Sequence, residues 1–250
     1  MVKSADKLVG KKIIVVGGTS GIGYGAASAF IDAGAHVTVI SSNEERVKDA
    51  VKRLASPHAT GVVGDVRDAE SFIEKLRILA PVDHVVFSGV DKILRGALED
   101  LDLDQAKHLF GVKFWGAVIV GKAIKKYDIV NPGGSLTLTS GTAALKPGKG
   151  SSTGSGLNGG VLSLTKGLAG DLSDKKIRVN VVTPGLVKSE LWDKMGKTKE
   201  EQDDIFKNAK LPVGFVATPE DIAEAYLYLV RAEYATGTSV VIDGGALLGI

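Results

Sequence analysis

The apolar run Ile13-Ile14-Val15-Val16 leads without a break into Gly17-Gly18-Thr19-Ser20-Gly21-Ile22-Gly23, after which apolar residues recur at helical spacing. A chain that leaves a buried strand and enters a helix within a few residues must turn sharply. Glycines permit that turn and let the backbone approach a ligand closely. The rhythm then repeats. Runs of strand length over 12–17, 36–41, 60–64, 83–87, 135–140, 178–183 and 239–242 alternate with helical periods over 21–33, 44–54, 69–79, 103–127 and 160–172. This alternation predicts an α/β fold with a doubly wound parallel sheet, because right-handed crossovers place consecutive helices over its two faces.

The chain has 250 residues, 44% of them apolar, and no Pro/Gly/Ser-rich linker divides it, so a single domain over 1–250 is expected. A formal charge of +2 is scattered rather than gathered in a basic block, which argues against a nucleic-acid partner. There is no cysteine, and His36, His58, His84 and His108 have no ligand-like spacing, so no metal site is expected. Residues 1–12 are polar and basic, and no apolar run approaches ~18 residues, so neither a signal peptide nor a membrane span is expected and a cytoplasmic protein is.

Two irregular stretches stand out. Residues 146–160 are rich in Gly, Ser and Thr and fall between a strand and a helix, at the sheet edge where such folds bind ligands. Residues 188–214 are charged but interleave Leu191, Trp192, Met195, Ile205 and Phe206, a pattern that suits a short helical lid. An ordinary surface excursion is the plainer alternative.

A glycine turn between strand and helix points the helix N-terminus at a pyrophosphate, so a dinucleotide is expected there. At the end of the second strand, where an NAD-specific site carries a carboxylate, the chain has Ser41-Ser42-Asn43, with Arg46 one turn later. Hydroxyls, an amide and a guanidinium suit a 2′-phosphate that an aspartate would repel, so NADP(H) is preferred over NAD(H). Ser42 or Asn43 is equally suited to cap the helix at Glu44. Asp65 follows the third strand, placed to accept from an adenine amino group or to close a turn.

Taken together, the glycine turn, Asp65-Val66, Gly134-Ser135-Leu136-Thr137-Leu138-Thr139-Ser140, Arg178-Val179-Asn180-Val181-Val182-Thr183-Pro184-Gly185 and Ile242-Asp243-Gly244-Gly245 resemble the short-chain dehydrogenase/reductase family over nearly the whole chain. The resemblance implies a Rossmann fold and an NADP(H)-dependent oxidoreductase acting on a small molecule. It places Gly17, Ser20, Ile22 and Gly23 at the pyrophosphate, with Thr19 and Gly21 beside them. It places Asp65 and Val66 at the adenine, and Pro184, Gly185, Val187 and Ser189 at the nicotinamide. Ser88 and Gly89 stand where the family has its Asn-Asn-Ala-Gly. A dimer or tetramer is implied through 159–172 and 246–250.

The departures are as informative. By the same resemblance the catalytic serine falls on Gly141, the tyrosine on Gly154, the lysine on Asn158, and the asparagine of the central helix on Lys113. A slip of one residue moves the serine to Ser140 or the tyrosine to Thr153 or Ser155, and recovers no tyrosine. In the family the lysine lowers the tyrosine's pKa so that it can protonate the alkoxide, a contribution of ~10² to 10⁴ in rate. Either another group supplies the proton or the substrate needs none, as with an iminium ion that becomes a neutral amine on taking hydride. The chain is similar to a divergent branch that includes fungal reductases of bridged indole alkaloid biosynthesis, which points to secondary metabolism.

Candidate proton donors are Lys113, Ser140 and Asn158, with Asp91 and Lys92 behind them. Each has a plainer role: a snorkelling lysine, a backbone-bonding hydroxyl, a helix cap, a loop ion pair. Glycine at 141, 154 and 156 is expected to enlarge the pocket, and removal of the family's lysine to take a cation out of it. Trp115 is expected in the core or an interface and Trp192 against substrate. Three functions fit: hydride transfer to a preactivated C=N or C=O carbon, a catalytically silent NADP(H) sensor, and a cofactor-assisted cyclase or isomerase.

Overall fold

A computed structural model describes residues 6–91 and 93–249. Along β1 (Lys12–Val16) successive side chains alternate between two separate cores, Ile13 and Val15 on one face of the sheet, Ile14 and Val16 on the other. A strand covered on both faces has no polar side, which is why its sequence is a continuous apolar run. β2 (His36–Ser41), β4 (Val82–Phe87) and β6 (Arg178–Pro184) are likewise interior to a seven-stranded, all-parallel sheet, although each carries polar residues among its apolar ones. With β3 (Ala59–Val63), β5 (Val130–Thr139) and β7 (Ser239–Ile242) the order is β3-β2-β1-β4-β5-β6-β7. The chain reverses its direction of winding between β1 and β4. A crevice therefore opens there, at the carboxyl ends of the strands.

One face is covered by α1 (Gly21–Asp32), α2 (Glu44–Leu54) and α9 (Pro219–Arg231), which bury Phe30, Ile222, Tyr226 and Leu229. The other carries α3 (Ala69–Leu79), α4 (Leu103–Phe110), α5 (Gly116–Tyr127) and α6 (Ser152–Asp171), which bury Phe72, Leu76, Val120, Ile124, Val161 and Leu168. Between β6 and α9 lie two short helices, α7 (Leu191–Lys194) and α8 (Lys199–Asn208).

Three elements differ from the sequence expectation. The helix expected over 103–127 is interrupted by a π-helical turn, Gly111–Trp115. The helix expected from 160 starts at Ser152, so most of 146–160 is helix rather than loop, and Gly154 and Asn158 are helical. Helix α9 was not anticipated, although Thr218 and Asp221 form a capping box with Pro219 in the first turn. Among the described residues, no helix is long and apolar enough to cross a membrane.

Candidate active site

A cavity of about 530 Å³ occupies the crevice. Its walls include Gly17, Thr19, Ser20, Gly21, Ile22, Ser41, Ser42, Arg46, Asp65, Val66, Ser88, Gly89, Pro184, Gly185, Val187 and Ser189, with Lys113, Ser140 and Asn158 at one end.

The first turn of α1 forms its floor. Ser20 makes no side-chain cap there and the turn holds no acidic residue. By contrast α2, α3 and α4 are capped by Asn43, Asp68 and Asp102. Apart from the Gly21 N–H, which donates to Glu190 Oε2, the N–H groups of this turn stand at the positive end of a helix dipole in a cleft of this size and fit a pyrophosphate. Gly23 lies off the wall. A Cβ at that position would stand 2.2 Å from the Gly17 carbonyl oxygen, so its role is to let helix and turn touch. Asn43 is off the wall too, and its Oδ1 accepts from the Arg46 N–H at 2.9 Å, leaving Ser41, Ser42 and the Arg46 side chain on the cavity. Both Asp65 oxygens accept from the Arg67 guanidinium, which holds this carboxyl below its usual range and engages the group expected to meet adenine.

At the other end three candidates converge. Lys113 Nζ donates to Asn158 Oδ1 at 2.7 Å and to the Ser140 carbonyl oxygen at 3.0 Å, while Ser140 Oγ donates to the Asn158 carbonyl oxygen at 2.9 Å. Oδ1 takes the ammonium, and the Asn158 amide lies beside Gly141. Lys113 is buried, and loss of hydration lowers its pKa from the ordinary lysine value to about 8. The π-helical turn carries it inward. An ammonium thus stands beside the position where the resemblance places a lysine, delivered from a different element, and the expected loss of a cation from the pocket is corrected.

Of the three glycines expected to enlarge the pocket, Gly141 alone is on its wall. Gly154 faces Ile93 and the Leu94 carbonyl, and Gly156 faces open space off the wall. No tyrosine lines the cavity among the described residues. Tyr226 lies behind the floor. Its hydroxyl is 2.5 Å from Thr139 Oγ1, which itself donates to the Phe87 carbonyl, so the phenol is the donor to Thr139. Burial pushes its pKa up to about 12.

Asp91 Oδ2 faces Arg67 at 3.7 Å and His108 at 3.6 Å, whereas Lys92 lies outside the described residues. Trp192 is on the wall, its Nε1 donating to the Val187 carbonyl and its ring edge-on to Phe206. Trp115 is 56% exposed, which rules out the core among the two places expected for it and leaves the interface. Sequence reasoning passed over Glu190 and Lys194. Glu190 Oε2 accepts from the Gly21 N–H at 2.8 Å, and Lys194 Nζ donates to the Val90 carbonyl at 3.2 Å, across the cavity mouth. The place of Glu190 directly after Ser189, with Lys194 one helical turn beyond it, was the available signal.

A family model described as an SDR-like Rossmann domain matches residues 4–249. The chain is 35% identical to the short-chain dehydrogenase/reductase malC of Malbranchea aurantiaca over 261 residues, covering 98% of each. It is 32% identical to the short-chain dehydrogenase/reductase ucsE of an Acremonium species over 264 residues, again covering 98% of each. The solved MalC reductase/Diels-Alderase superposes with a TM-score of 0.85 at 33% identity, over 98% of this chain and 100% of that one. A small-chain dehydrogenase in complex with NADPH superposes with a TM-score of 0.78 at 33% identity, over 96% and 100%. The sheet order, the glycine turn at the α1 N-terminus and these likenesses agree: the chain belongs to the short-chain dehydrogenase/reductase family of oxidoreductases.

Proposed function

We propose that this protein is an NADP(H)-dependent reductase of secondary metabolism that passes hydride to a preactivated C=N (iminium-like) or C=O carbon of a small, rather apolar molecule, with Lys113 in place of the family's tyrosine and lysine. The observation that carries this reading is the convergence of Lys113, Asn158 and Ser140 on the wall of one cavity whose floor is the glycine turn at the α1 N-terminus.

A bound dinucleotide supplies the hydride. Of the wall residues, Ser42 and Arg46 would hold its 2′-phosphate, the N–H groups of the α1 turn its pyrophosphate, and Gly185 and Val187 its nicotinamide side. Two of the three Lys113 donors are spent on Ser140 and Asn158, and the third serves the heteroatom of the substrate. As the carbon takes hydride, the π pair moves to that heteroatom, which takes a proton from Nζ and leaves Lys113 a neutral amine. A pKa lowered to about 8 makes that transfer easier than from an ordinary lysine. Asn158 and Ser140 hold the ammonium in position. A substrate arriving as an iminium needs no proton, and the same cavity then contributes orientation and exclusion of water.

The segment 188–214, carrying α7 and α8, acts as a lid: Trp192 faces the cavity and Lys194 reaches the Val90 carbonyl. Assembly into a dimer or tetramer belongs to the same reading, since side chains at Gly156, Gly159, Gly167 and Gly170 of α6 would project into open space. Light scattering on the purified chain tests it.

The functional test is loss of NADPH absorbance with a panel of cyclic imines and activated ketones. Turnover of the ketones that falls by ~10² or more on Lys113→Met supports the reading, whereas tight NADPH binding without turnover on any of the panel favours a silent sensor. The description of a solved relative as a reductase/Diels-Alderase favours a second reading, a cofactor-assisted cyclase, which would convert substrate with no net oxidation of NADPH.

A further inference from the structure

The cavity walls carry seven cationic side chains against two carboxylates, Asp65 and Asp91. Four of the cations have work already: Arg67 engages both acids, Arg46 stands at the 2′-phosphate end, Lys113 holds Asn158 and Lys194 reaches Val90. The other three are Arg95, on the loop after β4, and Lys146 and Lys149, on the loop after β5. All are exposed, and none has a carboxylate partner among the described residues.

The two loops are pinned to each other. Gly96 N–H donates to the Gly150 carbonyl at 3.0 Å, and Gly150 has a φ of +73° with its Cα so close that a Cβ would lie 2.7 Å from the Gly96 carbonyl oxygen. Only glycine tolerates both the left-handed backbone and the contact. Arg95 and Lys149 are the immediate neighbours of this pair, so the junction brings two chain positions that carry cations, neither with a carboxylate partner among the described residues, side by side on the cavity wall. The wall just inside is apolar, with Ile93, Leu186, Trp192 and Met195.

We infer that the substrate is an apolar molecule bearing a carboxylate, its body against Ile93, Trp192 and Met195 and its anionic group at the mouth between Arg95, Lys149 and Lys146. The inference rests on the reading above that this half of the cavity takes the substrate. It adds that a neutral molecule of the same shape binds more weakly. Like charges facing one another in a partly desolvated mouth also disfavour a permanently cationic substrate that lacks such an anion.

The test uses the full chain loaded with NADPH and three probes of one carbon skeleton, 1-naphthoate, 1-naphthamide and 1-naphthyl phosphate, titrated calorimetrically. The expected result is naphthoate binding at least ~10-fold more tightly than naphthamide, with the gap closing to within about 2-fold in Arg95→Gln/Lys149→Gln, because rim charges steer and hold the anion. Naphthamide and NADPH affinities should stay the same in that variant, which shows that the cavity is intact. Equal binding of naphthoate and naphthamide, or a preference that survives the double substitution, overturns the inference. Tighter binding of naphthyl phosphate than of naphthoate overturns the assignment to a carboxylate. Since no step requires turnover, failure of the reductase reading shows separately, as absent NADPH binding or absent NADPH oxidation.

Discussion

The Glu190 carboxylate accepts the Gly21 N–H at 2.8 Å, so a side chain from the segment after β6 occupies the first free donor of the α1 turn. That donor belongs to the group of N–H dipoles that a pyrophosphate would use, and two anions cannot share it without repulsion. Glu190→Gln keeps an oxygen that can accept the same hydrogen bond and removes the charge. NADPH should then bind ~3- to 10-fold more tightly, the scale of one partly screened charge contact. Fluorescence titration of bound NADPH checks this. An unchanged or weakened affinity would show that Glu190 does not compete for the turn.

Lys113 sets the second expectation. Burial lowers its pKa to about 8, so the ammonium is present below that value and is lost as pH rises through it. A reduction that takes its proton from Nζ should therefore hold steady at neutral pH and fall about tenfold per unit above about 8. Lys113→Met should lower kcat for ketones by ~10² or more and erase the alkaline limb, with NADPH affinity little changed. Substrates presented as preformed iminium ions should lose much less. A limb that persists in the variant assigns the titration to another group.

These two residues also mark where the sequence was legible and where it was not. Strand and helix bounds at β2, α2, α3 and β7 coincide with the sequence expectation, because each is a clean periodic run closed by a cap or turn. Glu44 and Glu45 at the start of α2 and Lys52 and Arg53 at its end reinforce the helix dipole, which is why that helix could be bounded from sequence alone. Helix α6 was read as starting late because Gly154, Gly156 and Gly159 imitate a loop. Tertiary packing of Leu157, Asn158 and Val161 overrides their low helix propensity. The π-helical turn at 111–115 has no sequence signature, yet it directs Lys113 inward onto Asn158, 45 residues away in the chain. The glycine cradle was visible because it is local. The Lys113, Ser140 and Asn158 cluster was visible only as three separate candidates, since the contacts joining them are long-range.

The cradle's geometry gives a third prediction. A Cβ at Gly23 would lie 2.2 Å from the Gly17 carbonyl oxygen, and backbone cannot yield as a flexible side chain would. Gly23→Ala should push the first turn of α1 away from β1, costing ~1–3 kcal/mol, which corresponds to a fall in Tm of roughly 2–10 °C for a chain of this size. NADPH binding should weaken by at least ~10-fold, since the donors that face the pyrophosphate move with the turn. Differential scanning fluorimetry with and without NADPH separates the two effects. A variant with wild-type Tm and wild-type affinity would show that the turn is not constrained as drawn.

Ser42 and Arg46 line the cavity on the α2 side, whereas Asn43 is committed to capping α2. This division gives the cofactor preference a specific lever, because the position after β2 can be changed without touching the cap. Ser42→Asp places a carboxylate beside the site where a 2′-phosphate would lie, and a like-charge pair of that kind costs up to several kcal/mol. The ratio of kcat/KM for NADPH over NADH should fall by at least ~10-fold, chiefly through loss with NADPH. Arg46→Gln should move it the same way by removing a guanidinium from the phosphate, with a smaller effect because that side chain is partly exposed. Both variants should keep the wild-type Tm, since neither side chain is buried and the Asn43 cap is untouched. If both also keep the wild-type ratio, the 2′-phosphate is not recognised at this end of the cavity and the NADP(H) assignment fails.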